Sequence, residues 1–306
     1  MRIIVAGAGG FVGRRLVMLL AGHDVVALDH TPGSIPNLPH ITPVSGDCSD
    51  PAVLDSAFAN GCDAVVHLAT VPGGAAEQDP GLAWRVNIDA TQLLAEAASA
   101  AGDCPRFVFA SSIAVFGDPL PDHVDDATPI SPRLLYGAHK AMMEQWLATL
   151  TRRGKLDAVS LRLSGVVARP RGPSGMKSAF MSDVFHAFEA GEEFVMPVSA
   201  NATSWMTSLE SAAGNFAHAV RADLAAAPAS RAVTLPALRV RMGDLIAEIA
   251  SQTARSSELV SYEPDAGLEA GFGAYPPLVT LAAETIGFSS DATLDELVAR
   301  ARSTAI

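Results

Sequence analysis

The chain has 306 residues, 49% of them hydrophobic and 18% charged. That is too apolar for a disordered segment and long enough for one large or two modest domains. Asp plus Glu outnumber Lys plus Arg 33 to 21, a net charge of −12, so the basic surface that nucleic-acid binding needs is not expected.

In chain order, a strand predicted at 2–7 (RIIVAG) runs into GAGGFVG and a helix over 11–21. Gly7, Gly10 and Gly13 have GxxGxxG spacing at this strand–turn–helix junction. Residues without Cβ make the tight turn and let phosphates reach the backbone at the helix N-terminus. A third glycine lets the helix pack closely on the strand. A second strand, DVVALD (24–29), ends in Asp29. A carboxylate there accepts hydrogen bonds from both ribose hydroxyls of an adenosine and repels a 2′-phosphate. His30 follows, not an Arg, so the expected cofactor is NAD rather than NADP.

A third run, ITPVSGD (41–47), ends in Asp47, which either lies near the adenine or caps the helix predicted at 51–59. DAVVHLAT (63–70) brings Leu68, Ala69 and Thr70 to the carboxyl end of a strand, beside the cofactor cleft, with His67 read as a core residue. A helix is predicted over 82–101, a strand at 106–112 (RFVFASS), a helix over 135–153 and a strand at 158–164 (AVSLRLS). Such Val-, Ile-, Leu- and Phe-rich runs fit strands buried on both faces. Their alternation with helices predicts an α/β fold: a Rossmann-like, doubly wound parallel sheet with right-handed crossovers.

Beyond Pro170 the rhythm changes. RPRGPSG (169–175) reads as a loop, followed by a helix at 178–190, a strand at 194–198, a helix near 208–222, a strand at 232–240 (AVTLPALRV) and a helix at 242–254. Two further helices are expected, over 277–286 and 294–303, the last with capping-box spacing between Thr293 and Glu296. We expect residues 1–168 to form the NAD-binding domain, with some later segments returning to it. Residues 169–306 then form a smaller, mainly α+β, substrate-binding region.

Tyr136 and Lys140 stand at i, i+4 in a predicted helix and so share a face. Alone, YxxxK is common; after a cofactor loop, six alternating strands and a strand ending in Ser111 and Ser112, it becomes specific. A neighbouring ammonium favours the ionised phenol. Tyr136 can then take a hydroxyl proton while Ser112 orients the same oxygen.

With these motifs the chain resembles the extended short-chain dehydrogenases/reductases, the group that includes nucleotide-sugar epimerases and dehydratases. The resemblance rests on GAGGFVG, Asp29, Asp47, VVHLAT, RVNIDAT, FASSIAVFG, YGAHK and LRLSGVVARP. It implies catalytic roles for Ser112, Tyr136 as general base and Lys140. It also implies a cofactor set of Gly7, Gly10, Phe11, Val12, Gly13, Asp29, Asp47, Cys48, Leu68, Ala69, Thr70, Asn87, Tyr136, Lys140, Leu163, Gly165 and Val166. Phe116 stands where many members have Tyr. Ile113 and Ala114 follow the catalytic hydroxyl where 4,6-dehydratases carry an Asp-Glu pair, so dehydration is disfavoured.

The second half resembles a branch that oxidises D-erythronate with NAD, through VVARPRGPSGMKSAFMSDVF, MPVSANATSWMTSLESAAGNFAHAV and VTLPALRVRMGDLI. Ala274-Tyr275-Pro276 stands where that branch tends to have Gly-Trp-Pro. Arg169, Arg171 and Lys177 cluster after the sixth strand, and a guanidinium can bind a substrate carboxylate through two hydrogen bonds. Each is either a ligand of that kind or a solvated loop residue. Ser111, Ser112, Ser174, Ser178, Asn201, Thr203 and Trp205 are candidates for the substrate's hydroxyl groups; Trp205 equally well only closes a hydrophobic lid.

The expected activity is NAD-dependent oxidation of a hydroxyl of a small sugar acid. The alternatives are a UDP-sugar 4-epimerase and a non-enzymatic NAD-binding sensor. The helices at 82–101 and 135–153 either form a homodimer interface or only cover the sheet. Cys48, Cys62 and Cys104 form no CxxC pair, MRIIVAGAGG lacks the apolar core of a signal peptide, and no apolar stretch reaches the ~20 residues of a membrane span. A cytoplasmic protein without a membrane partner is expected. The eight histidines lack ligand spacing, so no metal is expected.

Overall fold

The computed structural model describes residues 1–31, 34–117, 119–172 and 176–305. In the first half, strands and helices alternate as β1 (Arg2–Ala6), α1 (Phe11–Leu19), β2 (Asp24–Asp29), β3 (Ile41–Ser45), α2 (Pro51–Phe58), β4 (Ala64–His67), α3 (Gly73–Gln78) and α4 (Pro80–Trp84). There follow α5 (Ala90–Ala101), β5 (Arg106–Ser112), α6 (Leu135–Arg152), β6 (Asp157–Leu163) and β7 (Gly165–Val166). The second half adds α7 (Phe180–Ala190), β8 (Phe194–Met196), β9 (Thr203–Thr207), α8 (Leu209–Ala219), β10 (Ala232–Thr234), β11 (Leu238–Arg241) and α9 (Met242–Thr253). The chain ends with β12 (Val260–Tyr262), α10 (Ala266–Phe272), α11 (Leu281–Ile286) and α12 (Leu294–Ala305).

Seven strands form one parallel sheet in the order β10-β6-β5-β4-β1-β2-β3. This is the doubly wound, Rossmann-like arrangement. The strand order reverses between β1 and β4, which opens a crevice at the carboxyl ends of the strands. Side chains alternate between two cores, as the period of a strand requires. Ile3, Val5, Val25 and Val66 meet Leu16 of α1 and Phe216 of α8 on one face. Ile4, Ala6, Val65 and Phe107 meet Leu54, Leu94 and Leu147 of α2, α5 and α6 on the other. β3 departs from the expected double burial: it is the edge strand, mostly exposed, and so tolerates Pro43.

A smaller unit of α-helices and short strands lies beyond β6. β9 pairs with β7 and, antiparallel, with β11; β8 pairs with β12; and α7, α9 and α12 bury Phe185, Phe188, Leu245 and Leu297 between them. The expected single strand at 232–240 is two strands in different sheets. β10 joins the large sheet, the Leu235 N–H still bonds the Arg162 carbonyl, and β11 joins the small one. Pro236, which has no N–H to continue a ladder, stands between them. The expected helix over 277–286 starts only at Leu281. Pro276 and Pro277 hold the preceding chain extended, and Val124 exchanges backbone bonds with Pro277 and Val279. The expected helix over 82–101 is interrupted by a π turn at Arg85–Asp89, an inserted residue that hydrophobic periodicity does not register. Thr293 does cap α12, but Glu296 returns its carboxylate to the Ala292 N–H, one residue before the expected capping-box partner. Among the described residues, no helix is long and apolar enough to cross a membrane.

His67 lies wholly inside the sheet, against the Phe107 and Phe109 rings, with Nε2 2.9 Å from Thr91 Oγ1. Burial, reinforced by the Lys140 charge, pushes its imidazole down to about 3. Below pH 6.5 the unfolded chain therefore binds a proton that the folded chain refuses until about pH 3. This part of the stability is complete above pH 6.5 and is lost as pH falls through that window, at about 1.4 kcal/mol per pH unit at most. His67→Leu should flatten the acid limb in urea denaturation series; an unchanged limb would refute this source of acid sensitivity.

Candidate active site

The site starts at the turn after β1. Gly7 has φ +86°, and a Cβ there would sit 2.6 Å from the Ala69 backbone nitrogen. A Cβ on Gly13 would strike the Gly7 carbonyl, so α1 can approach β1 only through glycine. Gly10 caps α1 without a side-chain bond, and no acid stands in the first turn. The Gly10 N–H closes the turn on the Gly7 carbonyl, and the free N–H groups of the first turn, at Phe11, Val12 and Gly13, open onto the crevice as an anion site. This cradle, which any Cβ would fill, fits a dinucleotide's phosphates.

Asp29 ends β2 nearly buried. One carboxylate oxygen accepts from Gly9 N and the other from Thr31 N, both at 2.8 Å. It staples the glycine loop to the end of β2 rather than lining the cavity. Asp47 accepts from Ser49 N and Oγ at 2.8 Å, while Asp50 takes the cap of α2. Cys48 is buried beside Asp47, its thiol pushed up to about 11 chiefly by burial. Neither lines the cavity. Asn87 lies in the π turn: its Oδ1 accepts from Thr70 Oγ1 and Val71 N, and its Nδ2 donates to the Val71 carbonyl. It fixes the segment after β4, so that Thr70 and Leu68 line the cavity and Ala69 supports Gly7.

A cavity of about 660 Å³ joins these residues to the second half of the molecule. Gly7, Gly10, Phe11, Val12, Gly13, Leu163, Gly165 and Val166 line one end. Ser111, Ser112, Tyr136, Lys140, Arg169, Lys177 and Trp205 also line it. Ser112 closes β5, its Oγ accepting from Ala114 N at 3.2 Å, and hydrogen-bonds the Tyr136 phenol. α6 carries Tyr136 and Lys140 in its first two turns. Gly137 lets it pack on the turn at Ile113–Val115, because a Cβ there would strike the Ala114 carbonyl. The Lys140 Nζ lies 4.6 Å from the Phe109 ring centre and 5.5 Å from that of Tyr136. Burial pulls this ammonium down to about 7, against the pull of Glu144. Burial also pushes the Tyr136 phenol up, opposed by the Ser112 bond and the Arg169 charge.

The other candidate substrate ligands divide. The Arg169 guanidinium lines the cavity, donating to the Val166 carbonyl and the Met176 sulfur, with no carboxylate in ion-pair reach among the described residues. Arg171 is exposed, pairs with Glu192 at 3.1 Å and does not line the cavity. Lys177 and Ser178 stand at the exposed rim. Ser174 lies outside the described residues. Asn201 accepts from Arg241, and Thr203 donates to the Tyr275 carbonyl; neither lines the cavity. Trp205 is 1% exposed, donates its indole N–H to the Pro276 carbonyl at 2.7 Å and stacks edge-on with Tyr275. It is a wall with no donor free for a hydroxyl. The Ser111 hydroxyl turns away to Glu144 at 2.5 Å.

Reading the sequence alone missed Tyr275 and Phe272, which line the cavity from the C-terminal region, and Glu77 and Asp183 at its edge. It also missed Gly137 and Glu144; for Glu144 the signal was available, since Lys140 and Glu144 stand at i, i+4. No group of three His, Cys, Asp or Glu among the described residues is arranged to hold a metal.

The chain matches the NAD dependent epimerase/dehydratase family over residues 3–207. It is 33% identical to D-erythronate dehydrogenase of Cupriavidus necator, across 97% of both chains. It is 27% identical to D-erythronate dehydrogenase of Haemophilus influenzae, across 97% of this chain and 98% of that one. Among solved structures, a nucleoside-diphosphate-sugar epimerase from Agrobacterium tumefaciens superposes with a TM-score of 0.88 at 29% identity, covering 97% of this chain and 92% of that one.

Gly137→Ala should destabilise the protein by about 1–3 kcal/mol, because backbone must move to admit the methyl. Gly214→Ala in α8, with nothing within 4 Å of the new Cβ, should be neutral or stabilising by up to about 1 kcal/mol. Urea midpoints of the two variants check the contrast; equal shifts would contradict the close approach of α6.

Proposed function

The chain belongs to the NAD dependent epimerase/dehydratase family, and from that premise we propose that it oxidises a hydroxyl of a small, D-erythronate-like sugar acid to the keto acid. One observation carries the reading: Ser112, Tyr136, Lys140 and Arg169 line the same cavity as the glycine loop. The near-full-length likeness to two D-erythronate dehydrogenases supports the substrate class.

When bound at the glycine loop, NAD supplies the acceptor for the hydride that leaves the carbinol carbon. The hydroxyl proton goes to the Tyr136 phenolate oxygen. The Ser112 bond and the Arg169 charge favour that phenolate against the burial that opposes it, and Lys140, its Nζ 5.5 Å from the Tyr136 ring centre, adds a further cation on the same side of the balance. Ser112 hydrogen-bonds the reacting oxygen and fixes it beside the phenol. Arg169, half-buried and with no carboxylate in ion-pair reach among the described residues, binds the carboxylate of the acid. Trp205 and Tyr275 exclude water from that end of the cavity.

A homodimer through α5 and α6 belongs to the same proposal. Between these helices runs an apolar groove of about 580 Å³ lined by Ile130, Met142, Met143 and Trp146, with Met142 44% exposed. Covering such a face with its own copy removes it from water. Light scattering should give twice the mass of one chain; a monomer at micromolar concentration contradicts the dimer.

A panel of tetronates and aldonates should yield NADH with at least one of them. No NADH from any acid, with NAD demonstrably bound, refutes the dehydrogenase; binding of UDP-sugars without net NADH would then identify an epimerase. Tyr136→Phe should lower kcat by roughly 10²–10⁴-fold with NAD affinity unchanged. Arg169→Met should raise KM for the acid about tenfold or more, the loss of a charged hydrogen-bond pair.

A further inference from the structure

The chemistry proposed above leaves unused a buried acid that stands beside Lys140. Glu144 is 1% exposed and stands one turn beyond Lys140 on the same face of α6. Its Oε1 accepts from Ser111 Oγ at 2.5 Å and from Arg162 Nε at 2.9 Å, and its Oε2 accepts from Arg162 Nη2 at 2.8 Å. This fork ties α6 to the ends of β5 and β6, the two strands that deliver Ser112 and Leu163 to the cavity.

The charges around Lys140 can be named element by element. Its own helix presents Tyr136, His139 and Glu144. β4 presents His67, β5 presents Phe109, Ser111 and Ser112, and β6 presents Arg162 behind Glu144. Asn87 of the π turn and Glu77 of α3 face His139. Arg169 lies on the far side of Tyr136. His67 and His139 are both held below the usual histidine range, foremost by burial, and are neutral at pH 7. The fixed charges at the buried end are therefore one carboxylate, Glu144, between two cations, Lys140 and Arg162.

We propose that Glu144 is a positioning residue of this site: its carboxylate keeps the buried Lys140 ammonium protonated and in place, and Arg162 limits that hold by sharing the same carboxylate. The proposal rests on the roles given above to Tyr136 and Lys140. Its physical content is a pair of opposite signs. Without the Glu144 charge, Lys140 faces Arg162 uncompensated and releases its proton more easily. Without Arg162, the whole Glu144 charge acts on Lys140, which holds its proton more tightly. A residue that only joined helix to sheet would lower stability in both cases and move Lys140 in neither.

The sequence allows a direct test, because it contains three lysines, Lys140, Lys155 and Lys177. Protein labelled with [ε-¹³C]lysine and free of cofactor should show the Lys140 signal, assigned by its loss in Lys140→Arg, titrating well below the usual lysine range. Glu144→Gln should move that titration further down, on the order of one pH unit. Arg162→Met should move it up. If Arg162→Met does not fold, the double variant Glu144→Gln/Arg162→Met should titrate above Glu144→Gln alone. Shifts of the same sign, no shift in either variant, or a double variant equal to Glu144→Gln overturn the proposal. The titration needs no turnover, so an active Tyr136→Phe would sink the catalytic reading alone. Unmoved lysine signals would sink the role of Glu144 alone.

Discussion

Lys140 brings an ammonium to 2% exposure, above the Phe109 ring and beside Tyr136. Removing such a charge from water costs several kcal/mol unless the surroundings return it. The surrounding structure is arranged around that constraint. The aromatic face below attracts the cation, Glu144 lies one turn away, and Arg162 and Ser111 hold Glu144 still. In the proposed function, the same burial that makes the ammonium costly makes it effective on the phenol one turn earlier in α6, because the field is not screened by solvent. Stability and chemistry are opposed at this residue.

The sheet accounts for why residues so far apart in the chain meet there. Parallel strands end on one edge, and the reversal of order between β1 and β4 leaves a crevice at that edge. Gly7 follows β1, Thr70 follows β4, Ser112 ends β5 and Gly165 follows β6; each lines the cavity. Close approach is then set by small residues. Gly13 lets α1 reach β1, and Gly137 lets α6 reach the turn after β5. Chain elements at this edge are held by backbone-directed side chains, Asp29 on the glycine loop and Asn87 on the segment after β4.

These levels were not equally legible in the sequence. Five of the six alternating runs announced the large sheet because a strand buried on both faces reads as a nearly continuous apolar run, while the exposed edge strand β3 was read from its place in the alternation. Tyr136 and Lys140 were legible because helical spacing alone puts them on one face. The π turn at Arg85–Asp89 was not, since one inserted residue changes the hydrogen-bond partner without changing the apolar pattern. AVTLPALRV looked like one strand because composition does not say which sheet a strand joins; Pro236 was the available signal. Arg169 and Arg171 are two residues apart and chemically alike in sequence, yet one lines the cavity and the other pairs with Glu192. Ala168 between β7 and Arg169 has φ +57°, a turn that nothing in its side chain foretells.

The second half of the molecule contributes a wall rather than further reactive groups. Thr203 and Tyr275 bond through their backbones, Arg239 and Thr203 both donate to the Tyr275 carbonyl, and Trp205 donates to that of Pro276. The segment 273–276 is thereby tied along β9, although the two are some seventy residues apart in sequence. The Trp205 ring is held by its indole bond, the Tyr275 backbone by its bonds to Thr203 and Arg239, and the two rings stack edge-on at the cavity wall. In the proposed function, Arg169 and the hydroxyl of Ser112 orient the small acid within this cavity. On that proposal, selectivity depends on how far an acid group stands from the reacting carbon, a distance set by the turn at Ala168 and the end of β5.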